Sequence, residues 1–386
     1  MTTPADGHAL HDGRARTDGR ALADRRAIAA ARLAAQKLAG EPLAEPAAVV
    51  RHMLAMQAQD YAGSLWSVAL RAAGTPTAAD VEAALARSEI VRSWPMRGTL
   101  HLVAPEDLRW LLSLTTERLV AGAAARRRAL ELDDATIERA RELATDALEG
   151  GRALRREELG DRFEAGSVTT GGQRLYHLLW MLSQTGTLVS GPPEGAAQTF
   201  ALLEERIAPV PERERDDALG ELVRRYVLSH GPATRQDLAH WSGLTAADVK
   251  TGIAVAGDAV DTAAIDGRDH LVPAGWQPVA AEAEVRLLPG FDELLLGYRD
   301  RSASLDEGGL ALVVPGSNGV FQPTLSVGGH VEGLWRRRVR RGAVDVELTP
   351  LGRPPSQRIL RAATREAARY ARHLGLAPGE VTVPEA

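Results

Sequence analysis

Several residue types that define common enzyme classes are missing or scarce in this chain of 386 residues. Cysteine is absent, which excludes disulfide bonds, thiol catalysis, Cys-ligated zinc and iron–sulfur clusters. Of the 46 basic residues only two, Lys37 and Lys250, are lysines. A GC-rich coding sequence would produce the same bias towards arginine. The chemical restriction holds either way, because enzymes that form an imine with their substrate need a lysine amine.

Long apolar segments are also absent. No run of about 18 apolar residues could form a transmembrane helix, and the polar stretch from Met1 to Arg26 has no apolar signal core. We therefore expect a cytoplasmic protein. The composition, 45% hydrophobic and 25% charged, is that of a globular chain, and its length favours two or more domains. The net charge of −5 argues only weakly against nucleic-acid binding, since it says little about one face.

The same order of predicted elements occurs three times along the chain. In the first copy, helices over residues 26–43 and 47–56 and a helix capped by Thr77 precede a strand over residues 97–103. This order is typical of a winged helix-turn-helix. The two later copies are predicted from helices over 133–148, 173–184 and 217–230, short helices opening at Arg155 and Thr234, a helix capped by Thr245, and strands over 186–190, 198–202, 260–265 and 270–272.

The last part of the chain has a different pattern, in which short strand-like segments are separated by glycine and proline. A closing helix over residues 357–373 comes after them. The strands are predicted over 285–289, 310–314, 319–321, 331–335 and 344–348.

These patterns predict a mainly α, α+β fold with three tandem winged-helix units and a C-terminal β-rich cap. Chance similarity among short helical sequences is the alternative, and it is less favoured because whole element orders repeat. The predicted divisions are a disordered tail (1–25), winged helix 1 (26–130), winged helix 2 (131–210), winged helix 3 (211–280) and the β-rich segment with its closing helix (281–386).

Two segments stand out as candidates for DNA binding. The densest positive charge is a cluster of five arginines within six residues, placed at or near a hairpin between two predicted strands. Such a cluster favours a phosphate partner, although a solvated turn paired with local acids is the alternative. In the first wing, Arg97 and His101 share one strand parity, opposite to Leu100, and are expected to face DNA or solvent. The clustered arginines are Arg336, Arg337, Arg338, Arg340 and Arg341.

The segment Gln57-Ala58-Gln59-Asp60 is the candidate for chemistry. Residues two apart face the same way only on extended chain, so a site shared by Gln57 and Gln59 requires the preceding helix to end near Gln57. A polar helix end that bonds its own backbone is the simpler interpretation from motif shape alone. Asp60 either adds negative charge to such a site or caps the backbone. The neighbouring Trp94 is expected in the core.

Four stretches of this sequence resemble the AlkZ/YcaQ-like family of bacterial winged-helix DNA glycosylases. They are Met56–Asp60 with Val91–His101, then Leu287–Arg301, then Gly329–Trp335, and the resemblance runs in order over about residues 26–375. The family fold is three tandem winged helices. Its active site is a Gln-apolar-Gln motif in one branch and a Gln-apolar-Asp motif in the other, and Gln57-Ala58-Gln59 resembles the first, AlkZ-like branch.

The resemblance implies excision of N-alkylated purines, including bulky N7-guanine adducts and interstrand crosslinks, with Gln57 and Gln59 as catalytic residues and Asp60 as accessory. Water would be the nucleophile and no lyase step is expected. The expected partner is double-stranded DNA carrying alkylated bases, bound by a monomer without cofactor or metal. A non-catalytic winged-helix DNA-binding protein or transcriptional regulator is the alternative. In the cap, Asp292, Asp300 and Arg301 are expected to be structural, with Asp300 in a buried bridge to Arg299 or Arg301.

Overall fold

The computed structural model describes residues 9–195, 197–278 and 283–384. It begins with helix α1 (Ala9–Ala35). The prediction of a disordered tail over residues 1–25 is therefore wrong from Ala9 onward, and residues 1–8 lie outside the described part. Alanine, leucine and arginine dominate this stretch and all favour helix, so the segment simply continues the helix that packs from Ile28.

Unit 1, as we name residues 46–103, contains three helices and a three-stranded antiparallel sheet of order β1-β3-β2. Thr77 and Asp80 form the reciprocal cap that the sequence predicted for its last helix. The helix between the glutamine motif and Thr77 was not predicted. The elements are α2 (Pro46–Met53), β1 (Ala55–Gln57), α3 (Tyr61–Arg71), α4 (Ala78–Ala86), β2 (Val91–Met96) and β3 (Thr99–Val103).

Unit 2, residues 134–202, repeats this arrangement with a sheet of order β4-β6-β5. Two helices, α5 (Pro105–Gly122) and α6 (Ala124–Ala129), connect it to unit 1. Its elements are α7 (Asp134–Leu148), β4 (Leu154–Arg155), α8 (Arg156–Ala165), α9 (Arg174–Gln184), β5 (Leu188–Ser190) and β6 (Thr199–Leu202), and the short α10 (Leu203–Arg206) comes next.

Unit 3, residues 215–273, has three helices and a two-stranded hairpin. Thr234 and Thr245 cap its second and third helices, as predicted. The hairpin turns at Asp266 and Gly267, both with positive φ, as a two-residue turn requires. The elements are α11 (Arg215–His230), α12 (Arg235–Ser242), α13 (Ala246–Ala256), β7 (Val260–Ile265) and β8 (Arg268–Pro273).

The cap, residues 285–382, is a five-stranded sheet of order β13-β12-β11-β10-β9 covered by the closing helix. Only the β12–β13 pairing is parallel. Residues 310–314, predicted as a strand, lie mostly in a short helix, and residues 319–321 form no strand. The elements are β9 (Val285–Leu288), α14 (Glu293–Leu296), α15 (Gly309–Val313), β10 (Thr324–Val327), β11 (His330–Arg340), β12 (Ala343–Pro350), α16 (Gln357–His373) and β13 (Ala377–Thr382).

Two apolar cores join the cap to the rest of this mixed α+β fold. One contains Leu33 of α1, Trp66 of α3, Leu287 of β9 and Tyr370 of α16, so unit 1 rests directly on the cap sheet. The other runs from the unit 1 sheet through α5 to unit 3 and includes Tyr298 of the cap. The glutamine segment of unit 1 is therefore built against both unit 3 and the cap. No helix in the described ranges is long and apolar enough to cross a bilayer.

Candidate active site

The Gln57–Asp60 segment runs from the last residue of β1 through a bend at Gln59 and Asp60 to the start of α3. α2 ends at Met53, three residues before the predicted end, because Leu54 takes a positive φ of 66° and turns the chain into β1. Gln57 then pairs opposite His101, and the Ala58 N–H donates to the Leu100 carbonyl at 2.7 Å. Alternation along this chain leaves Gln57 half-buried and Gln59 exposed while Ala58 is buried between them.

The two glutamine amides are held loosely. Oε1 of Gln57 accepts from an Arg97 Nη at 3.4 Å, and Oε1 of Gln59 accepts from the backbone N–H of Leu100, also at 3.4 Å. Bonds of this length are weak, and each carbonyl oxygen retains a second lone pair. The alternative of a polar segment bonding its own backbone thus describes Asp60, which accepts from the Gly63 N–H, whereas both glutamine oxygens accept from the β2–β3 hairpin.

His101 does not face outward, and Arg97 is only partly exposed. Arg97 and Gly98 form the two-residue turn between β2 and β3, both with positive φ, and the guanidinium folds back so that an Nη lies 3.0 Å from Nε2 of His101. The His101 ring is fully buried, and the expectation that it faces DNA or solvent is wrong. Burial and the charge of Arg97 lower the pKa of His101 to about 3, so the ring stays neutral and supports the arginine.

A carboxylate that sequence reasoning did not single out lies behind Gln57. Glu293 at the start of α14 is 1% exposed, and its Oε1 accepts from the Gln57 N–H at 2.9 Å. Its Oε2 accepts from the indole N–H of Trp241 at 3.0 Å. The sequence held one available signal, an acidic pair placed directly before the apolar run Leu294–Leu296. A carboxylate in such a run is unusual unless hydrogen bonds compensate its burial.

Other residues near the motif are structural. Asp60 caps α3 by accepting from the Gly63 N–H at 3.1 Å, and the Arg92 guanidinium donates to the Ala58 carbonyl. A side chain on Gly63 would collide with Asp60, so the cap is closely fitted. Trp94 is buried and stacks on Phe200 of unit 2, as the expectation of a core role predicted.

The acidic residues of the cap form different ion pairs from those expected. Asp292 makes a buried two-pronged bridge to Arg71 of α3, with both N···O distances 2.9 Å, and also accepts from the Ser67 hydroxyl. Asp300 instead pairs with Arg268 of unit 3 in a partly exposed contact. The expectation of a buried bridge from Asp300 to Arg299 or Arg301 is therefore wrong. The contacts of Asp292 are those of a structural residue, as expected.

The arginine cluster forms the end of the β11–β12 hairpin, with Arg341 at the turn. All five side chains are exposed, and alternation places Arg336, Arg338 and Arg340 on the face opposite to α16. Arg340 pairs with Asp345 at 3.4 Å, and Arg337 donates to the Tyr370 hydroxyl. The interpretation as a turn paired with local acids therefore fits Arg340, while Arg336 and Arg338 form no ion pair within the described residues.

The described part of the chain contains no recognisable cluster of metal ligands. No group of three or more histidine, aspartate or glutamate side chains there could hold a metal ion.

Comparison with known proteins identifies the family of this chain. Residues 50–373 match the family described as DNA glycosylase AlkZ-like. The chain is 29% identical over 355 residues to an interstrand DNA cross-link repair glycosylase of Streptomyces sahachiroi, covering 87% of this chain and 93% of that protein. The solved structure of the Streptomyces sahachiroi DNA glycosylase AlkZ superimposes with a TM-score of 0.76 at 25% identity, over 93% of this chain and 99% of that one. The chain belongs to the AlkZ-like family of DNA glycosylases.

Proposed function

We propose that this protein is a monofunctional DNA glycosylase that hydrolyses the N-glycosidic bond of N-alkylated purines such as N7-alkylguanine. The observation that carries the proposal is the Gln57-Ala58-Gln59 motif, in which both amide oxygens accept hydrogen bonds from the β2–β3 hairpin in a member of this family. Bulky adducts and interstrand crosslinks belong to the proposed substrate class, because a related enzyme is named for crosslink repair.

The chemistry of the leaving group explains why amides suffice. An amide is a poor general base near pH 7, but an N7-alkylguanine already carries positive charge and departs readily. The protein must then hold a water molecule below C1′ and stabilise an oxocarbenium-like sugar. The carbonyl oxygens of Gln57 and Gln59 carry partial negative charge and have free lone pairs for both tasks. Asp60 supports them by fixing the end of the segment through its cap.

A hydrolytic route also fits the scarcity of lysine. Lys37 and Lys250 are the only side-chain amines in the sequence, and neither belongs to the glutamine segment. Water is the proposed nucleophile, and the product is an abasic site in an unbroken strand.

Duplex binding is proposed to use the three units as tandem winged helices within one chain. Three such modules supply an extended surface without a second protomer. The exposed arginines of the β11–β12 hairpin, Arg336 and Arg338 above all, are the proposed phosphate contacts, joined by Arg341 at the turn. Arg97 is proposed to act closer to the lesion, since it contacts Gln57.

The test is excision from a duplex that carries one N7-methylguanine, with alkaline cleavage of abasic sites afterwards. The wild type is expected to release the base, and Gln57→Ala with Gln59→Ala to lose at least about 10²-fold in single-turnover rate. Gln357→Ala, a substitution of an exposed glutamine at the start of α16 in the cap, is the matched control and should match the wild type. Strand scission without alkali would contradict the hydrolytic route. Duplex binding without excision would favour the non-catalytic alternative.

A further inference from the structure

The strand that carries Gln57 is an edge strand, and the cap closes that edge with a carboxylate. Directly after β1 the N–H of Ala58 points towards β3, so the N–H of Gln57 points the opposite way, where the sheet has no further strand. Glu293 Oε1 occupies the place of the missing strand at 2.9 Å. An edge N–H is usually left to water, whereas this one is bonded to a fully enclosed acid.

The carboxylate is fixed from several directions. Oε2 accepts from Trp241 of unit 3 at 3.0 Å, and Nε2 of His230 lies 3.7 Å from the same oxygen. The backbone carbonyl of Glu293 accepts from the Gln36 amide at 3.1 Å, so the chain just after α1 also holds the segment. The preceding residue, Asp292, is locked to Arg71 of α3. Glu293 therefore bonds three parts of the molecule. It contacts the residue after α1 through Gln36, unit 1 through the Gln57 N–H, and unit 3 through Trp241.

The buried group is an anion. Burial alone would raise the pKa of the Glu293 carboxyl, but His230, the charge of Arg97 and the Gln57 N–H together outweigh it and hold the pKa below its usual range. Arg97 in turn bonds the Gln57 side-chain oxygen. The Gln57 backbone is thus held by Glu293 and its side-chain amide by Arg97. The charge of Glu293 also helps to neutralise that of Arg97. No other member of the glutamine segment has this double attachment among the described contacts.

We propose that Glu293 is a positioning residue for glycosidic-bond cleavage, whose carboxylate fixes the Gln57 backbone and thereby the direction of the Gln57 amide. The proposal rests on the proposed function of Gln57. A displacement of about 1 Å in a group that orients a reactant costs about 10²-fold in rate. The free edge of a strand only three residues long would permit such a displacement once the acid is removed.

A double-mutant cycle tests this role. Glu293→Ala is expected to lower the single-turnover excision rate of N7-methylguanine about 10²-fold, while the dissociation constant for the duplex changes less than about threefold. In the Gln57→Ala background the same substitution should cost less than about threefold, and in the Gln59→Ala background about 10²-fold again. All rates are corrected for spontaneous depurination. Equal losses in both backgrounds would reject the positioning role in favour of a merely structural one.

Amide hydrogen exchange gives a reading that does not depend on activity. Loss of the carboxylate should speed exchange at the Gln57 N–H and leave the Ala58 N–H, which bonds β3, protected. If Glu293→Ala does not fold, Glu293→Gln replaces it, because one amide oxygen cannot serve both Gln57 and Trp241. Unchanged Gln57 exchange would overturn the proposal. A wild type that excises nothing, yet shows the exchange change, would instead reject the proposed function and with it the catalytic consequence.

Discussion

The strand-to-helix junctions of units 1 and 2 share the same strand pairing, but the first is supported by a buried residue and the second is exposed to solvent. Gln57 pairs opposite His101 in unit 1, and Arg155 pairs opposite Thr199 in unit 2. In each case the next residue along the chain donates its N–H across the sheet, at 2.7 Å in unit 1 and 3.3 Å in unit 2. Gln57 and Arg155 are therefore equivalent positions in two copies of one arrangement.

The copies differ in the length and surroundings of the chain between the ladder and the next helix. In unit 2 helix α8 begins directly after Arg155, whereas three residues separate Gln57 from α3. Those three residues include Gln59, so the longer junction is what supplies the second amide of the motif. Arg155 is exposed and pairs with Glu194 in solvent, while the unit 1 junction rests on buried Glu293. Unit 1 thus becomes a candidate catalytic unit by a longer junction and a support that is shielded from solvent.

The buried Asp292–Arg71 ion pair behind unit 1 should contribute more to the free energy of unfolding than the exposed pair of unit 2. Asp292→Asn leaves the guanidinium of Arg71 without its buried counter-charge, where the two side chains are 2% and 0% exposed. Removing one partner of such a pair costs about 3–5 kcal/mol. We expect a loss of that size in the free energy of unfolding, measured by urea denaturation.

The solvent-exposed pair of unit 2 supplies the control. Glu194→Gln breaks the pair with Arg155, in which both side chains are about half exposed, and should leave the urea midpoint unchanged. If both substitutions shift the midpoint equally, the two junctions are supported alike and the contrast between a buried and an exposed junction fails.

How far the sequence predicts this contrast depends on the range of the contacts involved. Local signals placed Thr77, Thr234 and Thr245 as helix caps, because a cap depends on residues three apart. The tandem order and the motif Gln57-Ala58-Gln59 were likewise visible along the chain. Glu293 was not, because 236 residues separate it from the N–H that it binds.

Errors of orientation have a similar origin. Strand parity correctly put Arg97 and His101 on the side opposite Leu100, but parity within one hairpin does not say which side another part of the chain covers. Unit 3 and the cap cover that side, since Gly243 of unit 3 approaches the Arg97 side chain and Glu293 lies nearby. Long-range packing therefore buries His101 completely and leaves Arg97 only partly exposed, although both were expected at the surface.

The pH dependence of stability should also separate the two junctions. The folded-state pKa of His101 is about 3, against an ordinary value of 6.5, whereas Thr199 in unit 2 does not titrate. Below pH 6.5 His101 binds a proton in the unfolded chain but not in the folded protein. The free energy of unfolding therefore decreases as the pH is lowered, by up to about 1.4 kcal/mol per pH unit. The loss continues towards pH 3.

His101→Asn should make that acid-side slope shallower, and its urea curves at pH 8 and pH 5 measure the change. At pH 8 His101 is neutral in both the folded and the unfolded chain, so any difference from the wild type there reports lost packing and hydrogen bonds. His52, whose pKa burial lowers to about 4, adds a fall of the same sign that the variant retains. Stability curves of variant and wild type that run parallel from pH 8 to pH 5 would show that His101 is not a buried neutral base.

The smallest expected effect concerns exposed arginines, and it asks whether the unit 2 junction touches DNA at all. Arg336→Gln with Arg338→Gln removes two cations without an ion pair among the described residues, and the slope of log affinity against log salt should fall in magnitude by about 2. Arg155→Gln removes a cation already paired with Glu194 and should change that slope much less. Affinity for an undamaged duplex at several salt concentrations gives both numbers. An unchanged slope for the hairpin variant would remove the cap from the DNA interface. An equal change for Arg155 would mean that both junctions face the duplex and differ only in the amides that unit 1 presents to it.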